Sequence, residues 1–345
     1  MESAAISGME IVPWLAYAWA GLLALAVYIY VVLDGFDLGL GILYPFFPEK
    51  RDRDLLMNTV APVWDGNETW LVLGGGGLLA AFPMAYAILM PALYIPIIFM
   101  LLALVFRGVA FEYRWRTKRW LKYWDAAFIG GSIVAAFSQG IALGAILQGV
   151  TVEGRAYAGG WWDWLTPFSV LCGVAVIAGY GLLGATWLIM KTDDEVQSRA
   201  RKLGVTFGLA TIGFIGAVSL ATPFLDMGYY SRWFQTPGLF VTIPMPLIIG
   251  AISVTMLASL RTHHHEYRPF ILSLLLFALC FVGLGISMFP NIIPPSVSIL
   301  DAATPFRSQI FVFIGACFLI PLILGYTAFA YWVFRGKVDP DEGYH

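Results

Sequence analysis

Apolar positions along this chain gather into long runs separated by short polar connections, a pattern unlike the brief amphipathic stretches of a soluble fold. A helix needs roughly 20 apolar residues to cross a hydrocarbon core. Runs of that kind lie near residues 14–33, 63–82, 86–106, 126–147, 165–190, 203–223, 241–260, 270–290 and 310–334. They predict about nine membrane spans in a single membrane domain over residues 1–345, an all-α polytopic fold. The short connections make sequential helices antiparallel neighbours that pack as bundles. The first run is too long for a cleavable signal and no small-residue cleavage site follows it, so it is expected to remain as a span.

Charge then orients the helices. Lys50, Arg51 and Arg53 occupy the first connection, and Arg107, Arg114, Arg116, Lys118, Arg119 and Lys122 the third. Lys191, Arg199, Arg201 and Lys202 lie in the fifth, Arg261 and Arg268 in the seventh, and Arg335 and Lys337 in the tail. Only Arg155, Arg232 and Arg307 fall on the other side. The positive-inside rule therefore puts the N-terminus outside and the C-terminus inside, with no Lys or Arg expected within a span. Trp115, Trp120 and Trp124 on the inner side, and Trp161, Trp162 and Trp164 on the outer, read as interfacial anchors.

Composition excludes several classes of function. Residues are 59% hydrophobic and only 12% charged, against about 25% charged in soluble domains. An ordinary cytosolic enzyme is excluded, and a net charge of −2 offers no basic field for a nucleic acid. Cys172, Cys280 and Cys317 are isolated within apolar runs and form neither metal-ligand spacing nor a disulfide framework. The run Gly74–Gly77 lacks the Gly-Lys-Ser/Thr ending of a phosphate loop and reads as close helix packing. The histidines are His263, His264, His265 and His345, the first three in an inner loop and the last at the C-terminus. None lies within a span, so bis-His haem ligation in the membrane is not open to this chain alone, and no bound metal is expected.

The acids carry the candidate chemistry. Asp34 and Asp37 interrupt an apolar stretch, and Asp65 and Glu68 stand at the start of the second. Were the intervening chain helical, Asp65 would lie roughly 18 Å beyond Arg53 at the α-helical rise. Each pair is spaced i,i+3 and shares one helix face. A carboxylate at bilayer depth costs about 2.5–3.5 kcal/mol even on a lenient scale, and such groups normally mark an ion or proton path. The plainer alternative is a carboxyl that caps a helix near Gly35, Gly39, Gly41 or Gly66. Arg107, Glu112 and Asp125 read as ion pairs at the interface. A proton-coupled secondary transporter and a purely structural anchor both remain compatible with these acids, although no inverted repeat is visible.

The motifs narrow the choice. Leu33-Asp34-Gly35-Phe36-Asp37-Leu38-Gly39 and Asn58-Thr59-Val60-Ala61-Pro62-Val63-Trp64-Asp65-Gly66-Asn67-Glu68-Thr69-Trp70 strongly resemble subunit II of the cytochrome bd-type quinol oxidases. The likeness continues through Ala81–Tyr86, Phe106-Arg107, Phe111–Arg114, Trp124-Asp125, Leu147–Gly149, Met288–Pro290 and Asp301-Ala302, nearly the whole chain. The resemblance implies two four-helix bundles plus one peripheral helix in a bacterial inner-membrane oxidase that oxidises quinol and reduces dioxygen to water. It implies a haem-bearing partner, subunit I, holding two b-type haems, haem d and the quinol site, with no redox centre or catalytic residue in this chain. A small single-span accessory subunit and membrane lipids are further implied partners. This chain would support subunit I and line a cytoplasmic proton path through Asp65 and Trp70, with Trp64, Asn67 and Glu68 around them and Asp34 and Asp37 as a second acidic pair. Charge would separate by vectorial proton uptake, without pumping.

Overall fold

The computed structural model describes residues 10–236, 238–262 and 265–339; His263, His264 and His345 lie outside the described residues. The first helix, α1 (Pro13–Leu43), runs on into a 3-10 turn at Tyr44–Phe46. At 1.5 Å per residue it exceeds the roughly 30 Å of a hydrocarbon core, so Asp34 and Asp37 stay helical and on one face. A short helix, α2 (Lys50–Asn58), carries the first basic cluster. A turn then leads to α3 (Trp64–Ala81), so Asp65 does not continue the helix of Arg53.

Next come α4 (Pro83–Ala92), α5 (Tyr94–Arg114), α6 (Leu121–Gln148), α7 (Pro167–Lys191) and α8 (Asp194–Ala221). Short helices α9 (Met227–Phe234) and α10 (Leu239–Thr242) precede α11 (Pro244–Arg261) and α12 (Arg268–Met288). A short α13 (Ile299–Ala302) and the long α14 (Phe306–Val333) complete the chain. Two small antiparallel hairpins, Val152–Glu153 with Ala156–Tyr157 and Asn291–Ile293 with Val297–Ser298, cap the end opposite the basic connections.

Among the described residues eight helices are long and apolar enough to cross a membrane, where the hydropathy pattern predicts about nine. The difference is α3, which is long enough at 18 residues but opens with Asp65, Asn67 and Glu68 and continues through four glycines. A second difference lies at residues 86–106, which straddle a helix break at Leu93, between Pro91 and Pro96. The long helix starts at Tyr94 and runs to Arg114. Arg107 is therefore inside a spanning helix, about 10 Å before its end, and not in a connection. Its charge does not terminate the span because acids on neighbouring helices, rather than water, compensate it.

Helix α1 is central, packed on α3, α6 and α7. Its contact with α7 is backbone to backbone: a Cβ on Gly184 would lie 2.6 Å from the Gly39 carbonyl carbon. Gly131 of α6 likewise admits α5, because a Cβ there would lie 2.6 Å from the Ala103 carbonyl oxygen and 3.2 Å from the Arg107 Cβ. These close approaches bring α1, α5, α6 and α7 together around the acidic residues. At the basic end, Phe36 stacks on Trp187 at 4.2 Å, and Lys191 Nζ donates to the Phe334 carbonyl at 2.5 Å. That bond holds the tail of α14 against α7.

Candidate functional site: an ionic cluster between helices

Arg107 is the centre of the site. Its Nη1 donates to Asp34 Oδ1 at 2.7 Å and to Glu68 Oε1 at 2.9 Å, and its Nη2 lies 3.6 Å from Asp37 Oδ2. Three helices thus supply one cation and three acids: α1 gives Asp34 and Asp37, α3 gives Glu68 and α5 gives Arg107. The Arg107 and Asp37 side chains are 0% exposed and that of Asp34 1%, whereas Glu68 retains 26%. A guanidinium out of water needs such partners, since an unpaired buried ion costs several kcal/mol.

Asn67 extends the cluster. Its Nδ2 donates to Asp37 Oδ2 at 2.8 Å and its Oδ1 accepts from the Tyr331 hydroxyl at 2.9 Å, so α14 is tied in as well. Arg107 lies over the Phe111 ring at 5.7 Å, and Trp64 stacks on Phe111 at 4.9 Å, nearly parallel at 5°. Trp70 is buried, with its indole Nε1 unpartnered. Asp34 Oδ2, Asp37 Oδ1 and Arg107 Nε are also buried without a hydrogen-bond partner. Such polar atoms, gathered around shared carboxyl groups, are the setting in which bound water and exchangeable protons are held.

Asp65 stands apart from the buried group. It is exposed, on a stripe of α3 with Thr69, Val72, Gly76 and Leu79. Its i,i+3 neighbour Glu68 sits at the margin between that stripe and Arg107. The structure therefore brings Asp34, Asp37, Asn67 and Glu68 together around Arg107, with Trp64 alongside, and leaves Asp65 at the surface of the chain, one helical turn from Glu68.

A second ionic group lies two helical turns further along α5. Arg114 Nε donates to Asp125 Oδ1 at 2.7 Å and its Nη1 to Asp54 Oδ1 at 2.5 Å. Arg53 Nη1 donates to Asp125 Oδ2 at 2.9 Å, and the Tyr44 hydroxyl reaches Asp125 Oδ1 at 3.2 Å. Glu112 is exposed and only loosely paired with Arg116, at 3.9 Å. Tyr331 is the member of the first cluster that sequence reasoning missed; a lone hydroxyl in an apolar span carries little signal by itself. Among the described residues no three His, Cys, Asp or Glu side chains are placed to hold a metal ion.

The fold and this site define a polytopic membrane subunit with acids buried between its helices and one acid on an otherwise uncharged stripe of α3. The chain belongs to the family described as cytochrome bd terminal oxidase subunit II, whose profile matches residues 15–334. It is 30% identical to the cytochrome bd-I ubiquinol oxidase subunit 2 of Escherichia coli K12, over 95% of this chain and 96% of that one. It is 29% identical to the cytochrome bd ubiquinol oxidase subunit 2 of Bacillus subtilis, over 94% of this chain and 97% of that one. In fold it is similar to a chain of the bd oxidase of Geobacillus thermodenitrificans, with TM-score 0.74 and 18% identity, over 92% of this chain and 98% of that chain. The protein is a subunit of a bd-type terminal oxidase, a quinol oxidase complex of the bacterial inner membrane formed with a subunit I.

Proposed function

We propose that this subunit carries protons from the cytoplasm toward the oxygen-reducing centre of subunit I, along Asp65 and Glu68 with the Arg107 cluster behind them. The observation that carries this reading is the position of Glu68, bonded to buried Arg107 on one side and one turn from exposed Asp65 on the other. Asp65 shares its stripe with Val72, 74% exposed, and Leu79, 50% exposed. A carboxylate on such a face would cost about 2.5–3.5 kcal/mol against lipid. This supports a partner subunit covering the stripe and making Asp65 the acid at the boundary. A path needs groups that take and return protons, which carboxyls do and neutral amides do not. Asn67 accordingly orients Asp37 and Tyr331, while Trp64 and Trp70 shape the surroundings.

In this reading subunit I supplies two b-type haems, haem d and the quinol site, and this chain binds none of them alone. Reduction of one dioxygen to two waters takes up four protons and four electrons, the electrons coming from two quinols. Uptake from one side and quinol proton release on the other separates charge without pumping. The reading also has a periplasmic N-terminus, a cytoplasmic C-terminus and two four-helix bundles with one peripheral helix. The distribution of Lys and Arg supports the orientation, and α14, the least buried of the eight long helices, suits the peripheral place. Lipids and a small single-span subunit complete the assembly.

The test is Asp65→Asn in the purified complex. The expected outcome is unchanged haem content and absorption spectra with oxygen consumption slowed about 10²-fold or more, the scale of a lost proton-transfer group. Full turnover in that variant would remove Asp65 from the path.

A further inference from the structure

The connections at the basic end of the molecule differ in what their cations meet. Lys50 meets Asp54, Arg53 meets Asp125, Arg199 meets Glu195 and Asp52, and Lys337 meets Asp193 and Glu266. The turn between α5 and α6 is different. Arg116, Lys118, Arg119 and Lys122 are all exposed within seven residues, and residues 115–122 contain no acid. Arg116 comes only to 3.9 Å from Glu112, with both side chains more than half exposed, and such a pair contributes little. Among the described residues Lys118, Arg119 and Lys122 pair with no acid. Two of these cations rest on neighbouring rings instead, Arg119 over Trp120 at 5.4 Å and Lys122 over Tyr123 at 5.0 Å. Those rings are 51% and 55% exposed. Tyr113, near the end of α5, stacks on Trp124 of α6 at 5.4 Å and ties the two helix ends together, so the turn offers its charges from a fixed base.

We infer that this turn is a docking site for anionic phospholipid. Arg116, Lys118, Arg119 and Lys122 take the phosphate and the charged headgroup, and Trp120 and Tyr123 take the glycerol and upper acyl region. Cations neutralised by acids of their own chain, as at Lys337, have little field left for a ligand; those of this turn keep theirs. Four cations beside the end of a spanning helix are the pattern that gathers anionic lipid. The rings decide between lipid and other anions. Trp and Tyr, apolar at one end and polar at the other, settle at headgroup level. Here they stand where two membrane-spanning helices, α5 and α6, meet the turn, and a cation resting on such a ring is held at that level. An acidic protein face or a free phosphate would use the charges and leave the half-exposed rings idle. Lipid bound to the folded assembly stabilises it by mass action, and it does so through α5, the helix that also carries Arg107 and Arg114. The inference stands on this surface alone and does not rest on the proposed proton path.

The experiment uses the whole oxidase complex, stripped of lipid in a neutral detergent and titrated with short-chain phosphatidylglycerol, phosphatidylcholine or inorganic phosphate. The thermal midpoint and the mass of retained lipid are recorded for the parent and for Arg116→Gln, Lys118→Gln, Arg119→Gln and Lys122→Gln combined. Lys118→Gln with Lys122→Gln keeps the test open if the fourfold variant does not assemble. The comparator is Lys202→Gln with Arg261→Gln and Arg268→Gln, exposed cations of the same end spread over α8, α11 and α12. Phosphatidylglycerol should raise the midpoint of the parent and remain bound, while phosphatidylcholine and inorganic phosphate should not. Affinity should fall about fivefold for each cation removed, roughly 25-fold in the double variant. The comparator should stay within about twofold of the parent at ordinary salt, where distant charges are screened. An equal loss in the comparator would reduce the effect to the general field of the basic end and overturn the site. An equal response to inorganic phosphate would overturn a lipid ligand. Separation of the subunits in the charge variants, with phosphatidylglycerol binding unchanged, would overturn it too and assign the turn to the partner subunit.

Discussion

Two arginines seven residues apart on α5 occupy the same face of the helix, and their surroundings differ in a way that separates chemistry from scaffolding. Lys50, Arg53 and Arg114 meet Asp54 and Asp125, three cations against two acids, at the margin of the helices where Asp54 is still 21% exposed. Each acid there is met by two cations, so the group pins α2, α5 and α6 together. Arg107, fully enclosed, faces Asp34, Asp37 and Glu68. One cation against three acids is unbalanced, and several of the polar atoms are unpartnered. A surplus of cations makes a joint; in the proposed reading a surplus of buried acids makes a place for protons.

Removing the cation from each site breaks the comparison most sharply. Arg107→Leu leaves Asp34 and Asp37 buried without a counter-ion, the situation that costs about 3–5 kcal/mol when a buried pair loses one partner. Little assembled oxidase should be recovered, measured as haem-containing complex in membranes. Normal assembly of that variant would mean the three acids do not depend on the guanidinium.

Asp125→Asn tests the cation-rich group. It keeps the side-chain volume but leaves Arg53 and Arg114 short of one acceptor charge, a loss of about 1–3 kcal/mol for hydrogen bonds to a charged group. The thermal midpoint of the complex should fall while oxygen consumption per haem stays at its parent value. A matching loss of turnover would erase the distinction between joint and proton site.

The smallest effect belongs to the exposed clasp at the basic end, where Lys337 Nζ meets Glu266 Oε1 at 2.7 Å and also pairs with Asp193. Lys337 and Gln197 hold the Glu266 carboxyl below its ordinary range, and Asp193 and Glu266 hold the Lys337 ammonium above its own. The depressed acid contributes stability above its unfolded pKa and loses it as pH falls through the folded value. The raised base contributes below its unfolded pKa and loses it as pH rises through the folded value. The clasp is therefore whole at neutral pH and opens at both extremes. Lys337→Ala should lower the thermal midpoint near pH 7 by the equivalent of about 0.2–1 kcal/mol, with the difference shrinking in high salt and below about pH 4. A larger loss would mean that this exposed pair is no weaker a joint than the buried one.

Much of the molecule follows from local pattern. Long apolar runs, short connections and the one-sided distribution of cations read directly as a polytopic helical protein, because hydropathy over some twenty neighbouring residues decides whether a segment can leave water. The i,i+3 spacing of Asp34 with Asp37 and of Asp65 with Glu68 marks the acids for the same reason. Three things are not local. The break at Leu93 displaces α5 along the chain, the glycine-opened approaches of α1, α5, α6 and α7 set which faces meet, and the partners of Arg107 come from residues 34, 37 and 68. The resemblance makes Asp34 and Asp37 only a second acidic pair, yet they are the enclosed acids in space, while Asp65 stands at the surface. Charge near the end of an apolar run looks like a connection until acids from other helices are seen to neutralise it. Sequence thus determined which segments enter the membrane and which side chains are costly there. Only tertiary packing decided which of those side chains share a site, since burying an ion depends on partners that no window along the chain contains.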